Sequence, residues 1–235
     1  MHIFDGTNTD FSNGMIIIFN KPQSWTSFDV VNKTRYIIKN KLGIKKIKVG
    51  HAGTLDPLAT GVLVVCTGKA TKTISELTCD DKEYLATLQF GATTPSFDAE
   101  TEPNQFFNWE HLTTELIDKT LQLFTGDISQ TPPIYSAIKV NGVRAYKEAR
   151  KGNTIDIPTR TVKIYDIKKI NMNLPELNLL VHCSKGTYIR SLANDIGQEL
   201  KSGAYLKDLV RTRSGNFLLE NALDIKEFEK IVNLM

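Results

Sequence analysis

Residues 50–63 read Gly-His-Ala-Gly-Thr-Leu-Asp-Pro-Leu-Ala-Thr-Gly-Val-Leu and set one carboxylate, Asp56, among glycines and directly before a proline. Pro57 disfavours helical backbone at Asp56 and pushes it toward an extended conformation. Gly50, Gly53 and Gly61 permit turns that side-chained residues would resist. A carboxylate presented on such a loop can form a covalent bond or stabilise a cationic centre. An Asp-Pro pair by itself is ordinarily a turn, where Asp is favoured. What sets this one apart is the thirteen residues around it.

The elements that must position the loop are legible from pattern. Residues 14–20 and 61–66 read as apolar strands on either side of it, and residues 28–41 as a helix with Ser27 as its cap. A short helix is expected at 71–77 and a strand at 84–90, ended by Gly91. An acidic connector at 94–108 holds two prolines and is expected to be exposed. Residues 112–124 are amphipathic and helical, stopped by Gly126. Thr131-Pro132-Pro133 stiffens the chain, and Asn141-Gly142 signals a hairpin; helix is expected at 146–151. Strands at 160–170 and 178–183 and a helix at 187–200, entered through Gly186, complete the pattern, with a short closing helix at 224–234. Strands and helices interleave without regular βαβ spacing, so the fold class is α+β, a mixed sheet with flanking helices.

The 235 residues support one large domain or a domain with a sizeable insertion, and 41% hydrophobic with 23% charged residues is ordinary for a soluble globular chain. The apolar run at 15–19 is too short for a membrane span or a signal-peptide core, and a cytoplasmic location is expected. Cys66, Cys79 and Cys183 are odd in number and lack Cys-x-x-Cys spacing, which argues against a disulfide framework or a zinc site; Cys66 reads as a small buried hydrophobe. The four histidines are scattered, and neither metal nor cofactor is expected. Net charge is only +3, but its distribution is uneven. Residues 33–48 hold seven Lys/Arg and no acid, residues 139–163 hold seven against Glu148 and Asp156, and residues 93–118 hold six acids and no Lys or Arg. Such segregation can present a basic face to phosphates, although charge runs are more often solvated helix faces.

The loop resembles the catalytic motif of the TruB-type tRNA pseudouridine synthases, and other segments match that family in order. They are Lys21-Pro22 with Thr26-Ser27; Lys82-Glu83-Tyr84 with residues 90–94 and Asp98; residues 131–139 with Gly142, Tyr146, Ala149 and Arg150; residues 183–193; and residues 211–215. The resemblance runs from about residue 14 to 223. Two positions depart from it: Ser24 stands where the family usually has glycine, and Ala52 where many members carry threonine. Only twenty residues follow Gly215, and the further RNA-binding (PUA) domain that many relatives carry is therefore not expected here.

The resemblance implies a pseudouridine synthase fold, with a mostly antiparallel central sheet over residues 1–223, an RNA-gripping arm at about 130–156, and a short C-terminal helix at 224–235. It implies isomerisation of uridine to pseudouridine at position 55 in the T loop of tRNA. Asp56 would be the nucleophile, Arg190 its ion-pair partner, and Tyr84 the residue stacking on the target base. Tyr188 and Leu209 would line the uridine pocket, and His51 would fill the gap left by the flipped base. Lys21, Lys69, Lys72, Lys139, Arg144, Arg150, Lys185, Arg211 and Arg213 are candidate phosphate contacts. The partner is tRNA, through its T arm and loop; no membrane or obligate protein partner is expected, and nothing demands more than a monomer. Two other readings compete. An RNA-binding or RNA-folding protein on the same scaffold would be expected to lack Asp56, Tyr84 or Arg190, yet all three are present. A metal-dependent phosphoesterase needs several carboxylates and histidines together, yet only Asp56 stands in a motif.

Overall fold

The computed structural model describes residues 2–7, 10–136, 139–140, 143–144 and 156–234. The chain forms two compact units: residues 1–84 with 210–235, and residues 85–209. In chain order the elements are β1 (His2–Ile3), β2 (Met15–Lys21), α1 (Ser27–Leu42), β3 (Val49–Ala52), β4 (Thr60–Thr67), a 3-10 turn (Gly68–Thr73), α2 (Ile74–Thr78) and β5 (Lys82–Phe90). There follow β6 (Ala92–Thr93), β7 (Gln105–Phe106), α3 (Thr114–Leu123), β8 (Gly126–Gln130), β9 (Lys139–Val140), β10 (Val143–Arg144), β11 (Arg160–Asn173) and β12 (Glu176–Cys183). The last are α4 (Ile189–Glu199), β13 (Ala204–Ser214), β14 (Phe217–Leu218) and α5 (Ile225–Leu234). The division between units falls inside β5 and β13.

The first unit is built on a mixed sheet. β2 and β4 pair antiparallel from Ile16↔Cys66 to Lys21↔Gly61, β1 lies parallel to β2, and β3 lies antiparallel to β4 from Val49↔Thr67 to Ala52↔Val64. The C-terminal part of β13 runs parallel to β4, with Val210↔Thr60 and Arg211↔Gly61. Residues 15–19 of β2 are all buried because the sheet is covered on both faces. Ile16 and Ile18 pack with Val62, Val64 and Cys66. Phe19 meets Phe228 of α5 edge-on at 5.3 Å, and Phe4 and Phe11 join the same aromatic cluster. Each buried aromatic side chain of this kind contributes roughly 1.5–3 kcal/mol, which explains how a ten-residue helix is held to the unit. α1 starts at a Thr26 cap whose hydroxyl accepts from the Asp29 N–H, while the Asp29 carboxylate accepts from the Thr26 N–H. The cap is therefore Thr26 and not Ser27, whose side chain turns inward to the Asp56 loop.

In the second unit β5 neighbours β12, and β12, β11 and β8 follow in that order. β11 pairs antiparallel with both β12 and β8. Strict alternation along β12 buries Leu177, Leu179, Val181 and Cys183. α4 buries Ile189, Leu192, Ala193 and Ile196, and α3 buries Ile117 and Leu121. Gly126 does not end α3; Phe124 caps it, and Gly126, at φ +98°, opens β8. β9 and β10 pair antiparallel across a two-residue connection, Val140 opposite Val143, as the hairpin reading requires. Of the expected arm at 130–156, residues 137–138, 141–142 and 145–155, including the expected helix at 146–151, lie outside the described residues.

The expectation of an exposed connector at 94–108 is corrected at its start. Thr94, Ser96 and Asp98 are buried. Among the described residues no helix is long and apolar enough to cross a membrane.

Candidate active site

The loop bearing Asp56 is fixed on both sides of the aspartate by groups of its own unit. Ser27 of α1 accepts from the Leu55 N–H at 2.8 Å and donates its hydroxyl to the Leu55 carbonyl at 3.0 Å. The Pro57 carbonyl accepts from the Ser24 N–H at 2.8 Å and from the Lys21 ammonium at 3.3 Å. The Asp56 carbonyl accepts from the Ala59 N–H at 3.1 Å, and the Gly53 carbonyl from an Arg211 Nη at 3.1 Å. The Asp56 residue is half-buried. A side chain whose flanking peptides are pinned in this way loses little further freedom on meeting a substrate, which is what a positioned nucleophile needs.

Ser24 holds φ +67°, in the left-handed region that favours glycine. That is the physical reason a glycine suits the position. The loop keeps the conformation because the Ser24 N–H is committed to the Pro57 carbonyl. At Gly61, φ is +97° and a Cβ would lie 2.3 Å from the Arg211 carbonyl oxygen, so β4 can lie against β13 only with glycine there.

Two cations expected to touch phosphate are part of this scaffold instead. Lys21 is fully buried, and its ammonium donates to the carbonyls of Pro22 (2.9 Å), Trp25 (2.6 Å) and Pro57. Arg211 is 1% exposed; its Nε donates to the Val62 carbonyl at 2.7 Å and an Nη to Gly53. Neither is available to a phosphate. Arg213 is half-buried, donating to the Gly215 carbonyl and pairing with Asp81 at 2.9 Å. Lys69, Lys72 and Lys185 are exposed. Arg150, and the side chains of Lys139 and Arg144, lie outside the described residues.

His51 lies on β3 opposite Val65. Burial, and then the Arg211 charge, hold its imidazole below the ordinary histidine pKa, so it is neutral at pH 7. Tyr84, with its side chain buried, sits on β5. Beside it the Glu83 carboxylate accepts from the Thr212 hydroxyl at 2.8 Å, which fixes that stretch of strand.

Arg190, Tyr188 and Leu209 belong to the second unit. Arg190 is 3% exposed, at the start of α4, with an Nη 3.2 Å from Asp98 Oδ2. It also donates to the carbonyls of Ser96 and Tyr135. Asp98 is itself held: its Oδ1 accepts from the Ser96 hydroxyl at 2.5 Å and from the Glu100 N–H at 3.0 Å. The guanidinium is thus oriented by a buried carboxylate to which sequence reasoning gave no role. Tyr188 caps α4 in extended conformation. The Gln130 side chain clasps its backbone, donating to the Tyr188 carbonyl at 3.0 Å and accepting from its N–H at 2.8 Å. The Arg160 guanidinium lies over the Tyr188 ring at 4.7 Å and donates to the Gly186 carbonyl. Leu209 is buried on β13. Gln130 and Arg160 were also missed; the one cue to Gln130 was its place just before Thr131-Pro132-Pro133. Among the described residues no group of three His, Cys, Asp or Glu side chains is disposed to hold a metal ion.

Solved structures share this architecture. One chain of a Cbf5-Nop10-Gar1 complex matches 94% of this chain with 31% identity and a TM-score of 0.70; a chain from an archaeal box H/ACA sRNP Nop10-Cbf5 complex matches 95% with 27% identity and a TM-score of 0.68. This chain spans about half of each, 54% and 55%. Two of the curated relatives it matches are close to its own length, and a third is longer. The tRNA pseudouridine synthase B of Phocaeicola vulgatus is 56% identical over 219 residues, 93% of both chains. That of Bacteroides fragilis is 52% identical over 224 residues, 95% of this chain and 96% of the relative. That of Francisella tularensis is 43% identical over 220 residues, 93% of this chain and 70% of the relative. The fold and these likenesses define a tRNA pseudouridine synthase, an isomerase that converts uridine to pseudouridine in tRNA. The sequence pattern of the TruB family pseudouridylate synthase N-terminal domain matches residues 39–189, and the chain belongs to that family.

Proposed function

We propose that this enzyme isomerises uridine 55 in the T loop of tRNA, with Asp56 as the nucleophile and Tyr84 and Arg190 acting with it. The net change moves the C1′ bond from N1 of the base to C5, and a proton from C5 to N1. No group is added or lost, so the chemistry calls for no cofactor. What it does call for is a fixed carboxylate able to hold one fragment while the base turns. The observation that carries this reading is the double clamp on Asp56, with Leu55 held by Ser27 on one side and Pro57 held by Ser24 and Lys21 on the other. Tyr84 stacks on the displaced base, and Tyr188 and Leu209 line its pocket. His51, neutral at pH 7, fills the space the base leaves by packing and hydrogen bonding and not by charge. The enzyme acts on tRNA as a monomer in the cytoplasm.

The test is an unmodified tRNA transcript treated with the enzyme or with Asp56→Asn, without added metal or cofactor, and pseudouridine mapped at every position. Product at position 55 with the wild type, and none with the variant, is the expected result. Product elsewhere would overturn the position, and product with the variant would overturn the nucleophile.

A further inference from the structure

Three segments of the first unit bring cations together at the C-terminal end of β4. Residues 45–48 lead into β3 there, residues 68–72 leave β4 there, and the Gly68 N–H donates to the Lys48 carbonyl at 2.9 Å. Val49 and Thr67 are paired at the same end. The last turns of α1 add Arg35 and Lys39. The result is two adjoining clefts. One, of about 400 Å³, is lined by Arg35, Lys39, Lys45, Lys46, Ile47 and Lys48. The other, of about 300 Å³, shares Lys46, Ile47 and Lys48 and adds Lys69 and Lys72. Among the described residues no Asp or Glu lines either cleft.

A solvated helix face would intersperse acids among these cations. Residues 33–48 contain none. Lys45, Lys46, Lys48 and Lys72 are exposed, so their charges serve no packing purpose. Crowded like charges repel one another and disfavour the compact state. A polyanion laid across both clefts would relieve that repulsion.

We infer that this face seats the phosphate backbone of the tRNA substrate at a place separate from the target uridine; the inference rests on the tRNA reading above. The seat lies at the opposite end of β4 from Asp56. From Gly61 to Gly68 is seven residues, which at about 3.3 Å each is roughly 23 Å. An RNA that reaches both ends must extend well beyond the loop carrying the uridine. Lysine ammoniums are point charges without the planar fork that reads base edges, so the seat adds affinity and register but does not choose the base.

The test compares wild type with Lys45→Gln/Lys46→Gln/Lys48→Gln, three exposed changes compatible with the fold. A control triple, Lys119→Gln/Lys201→Gln/Lys226→Gln, removes the same charge elsewhere. Substrates are full-length tRNA transcript and a minimal stem-loop carrying the target uridine. For full-length tRNA the first triple is expected to raise KM on the order of tenfold at moderate salt, with kcat and the modified position unchanged. The slope of log affinity against log salt should flatten by about 2–3, at roughly 0.7–0.9 per lost phosphate contact. The stem-loop and the control triple should change less than twofold. An unchanged KM and slope for the first triple, or equal losses in both triples or on both substrates, would overturn the seat. Tight binding of an acidic protein by this face with no change in tRNA slope would also overturn it. Binding of the same tRNA, measured without turnover, decides the question even if no pseudouridine forms. In that case the activity reading fails while the slope still supports or overturns the seat.

Discussion

Replacing Lys21 with Met separates two roles that a lysine beside an RNA-modifying loop can play. An ammonium has three donors, and this one uses them on three carbonyls, those of Pro22, Trp25 and Pro57, at 2.9, 2.6 and 3.3 Å. Met fills nearly the same volume, so the change removes donors without opening a large cavity. Hydrogen bonds to a charged group contribute about 1.5–3 kcal/mol each, but one of these is long, and the variant no longer buries an ammonium. The expected loss is about 2–4 kcal/mol, which in a chain of this size lowers Tm by about 5–15 °C. Because Pro57 follows Asp56 directly, the loop should also loosen. A displacement of about 1 Å can cost on the order of a hundredfold in rate.

The assay is calorimetry on the purified variant, followed by single-turnover and steady-state rates of pseudouridine formation on tRNA. The structural role predicts a lower Tm, a kcat reduced tenfold or more, and a KM for tRNA within about twofold of wild type. A phosphate-contacting lysine would give the opposite pattern: an unchanged Tm, an intact kcat, a raised KM and a salt slope reduced by roughly 0.7–0.9. That second pattern would refute the scaffold assignment.

Asp98→Asn should reduce kcat more than tenfold with tRNA binding retained, because it removes the charge of the buried carboxylate that orients Arg190; breaking such a pair costs about 3–5 kcal/mol, and a thermal scan with turnover rates checks both. Arg190→Lys should lose most activity while keeping the fold, since an ammonium cannot reach Asp98, Ser96 and Tyr135 as the fork does; near-normal turnover would sink that assignment. The imidazole of His51 should titrate below 6.5 by NMR. Its lowered folded value means the unfolded chain binds the proton more readily. Its contribution to stability is therefore full above about pH 6.5 and declines as pH falls toward the folded value, and His51→Gln should flatten that dependence. Burial pushes the Cys66 thiol up to about 11, and Cys183 is also buried, so a thiol reagent should label the exposed Cys79 alone in the native enzyme, with all three reacting after unfolding.

What was legible in the sequence was what lies contiguous along it. The Asp56 loop declared itself because glycine, aspartate and proline act on their own backbone, and those effects are local. β2, β4, β12 and α1 were readable from apolar pattern alone. β13 was not. Lys207, Asp208, Arg211 and Arg213 interrupt its alternation, and the buried set of Leu206, Leu209 and Arg211 slips phase at residues 207–208. The one-residue error at the α1 cap had a cue that was passed over: Thr26 and Asp29 stand at the spacing of a reciprocal cap, which frees Ser27 for Leu55.

The misreading of Lys21 and Arg211 has a more general physical cause. A functional loop that leaves regular structure exposes carbonyls with no strand or helix partner, and those carbonyls need donors. Neither a carboxylate nor an apolar side chain can supply one, whereas Lys carries three and Arg five, with no acceptor to satisfy in return. Cations therefore gather around such a loop for two unrelated reasons, to hold its backbone or to hold a polyanion, and residue type does not distinguish them. Burial does. Lys21 and Arg211 face backbone carbonyls of the Asp56 loop and its neighbours and are removed from water, whereas Lys45, Lys46 and Lys48 face solvent in a cleft that, among the described residues, no acid lines. Asp98 is the mirror case. In a stretch holding six acids and no bases it looked solvated, yet it is the acid that turned inward, because Arg190 stands buried beside it. The chemistry-bearing residues of this enzyme are thus announced by motif. The residues that aim them are ordinary charged and amide side chains, and their role is visible only where the fold removes them from water.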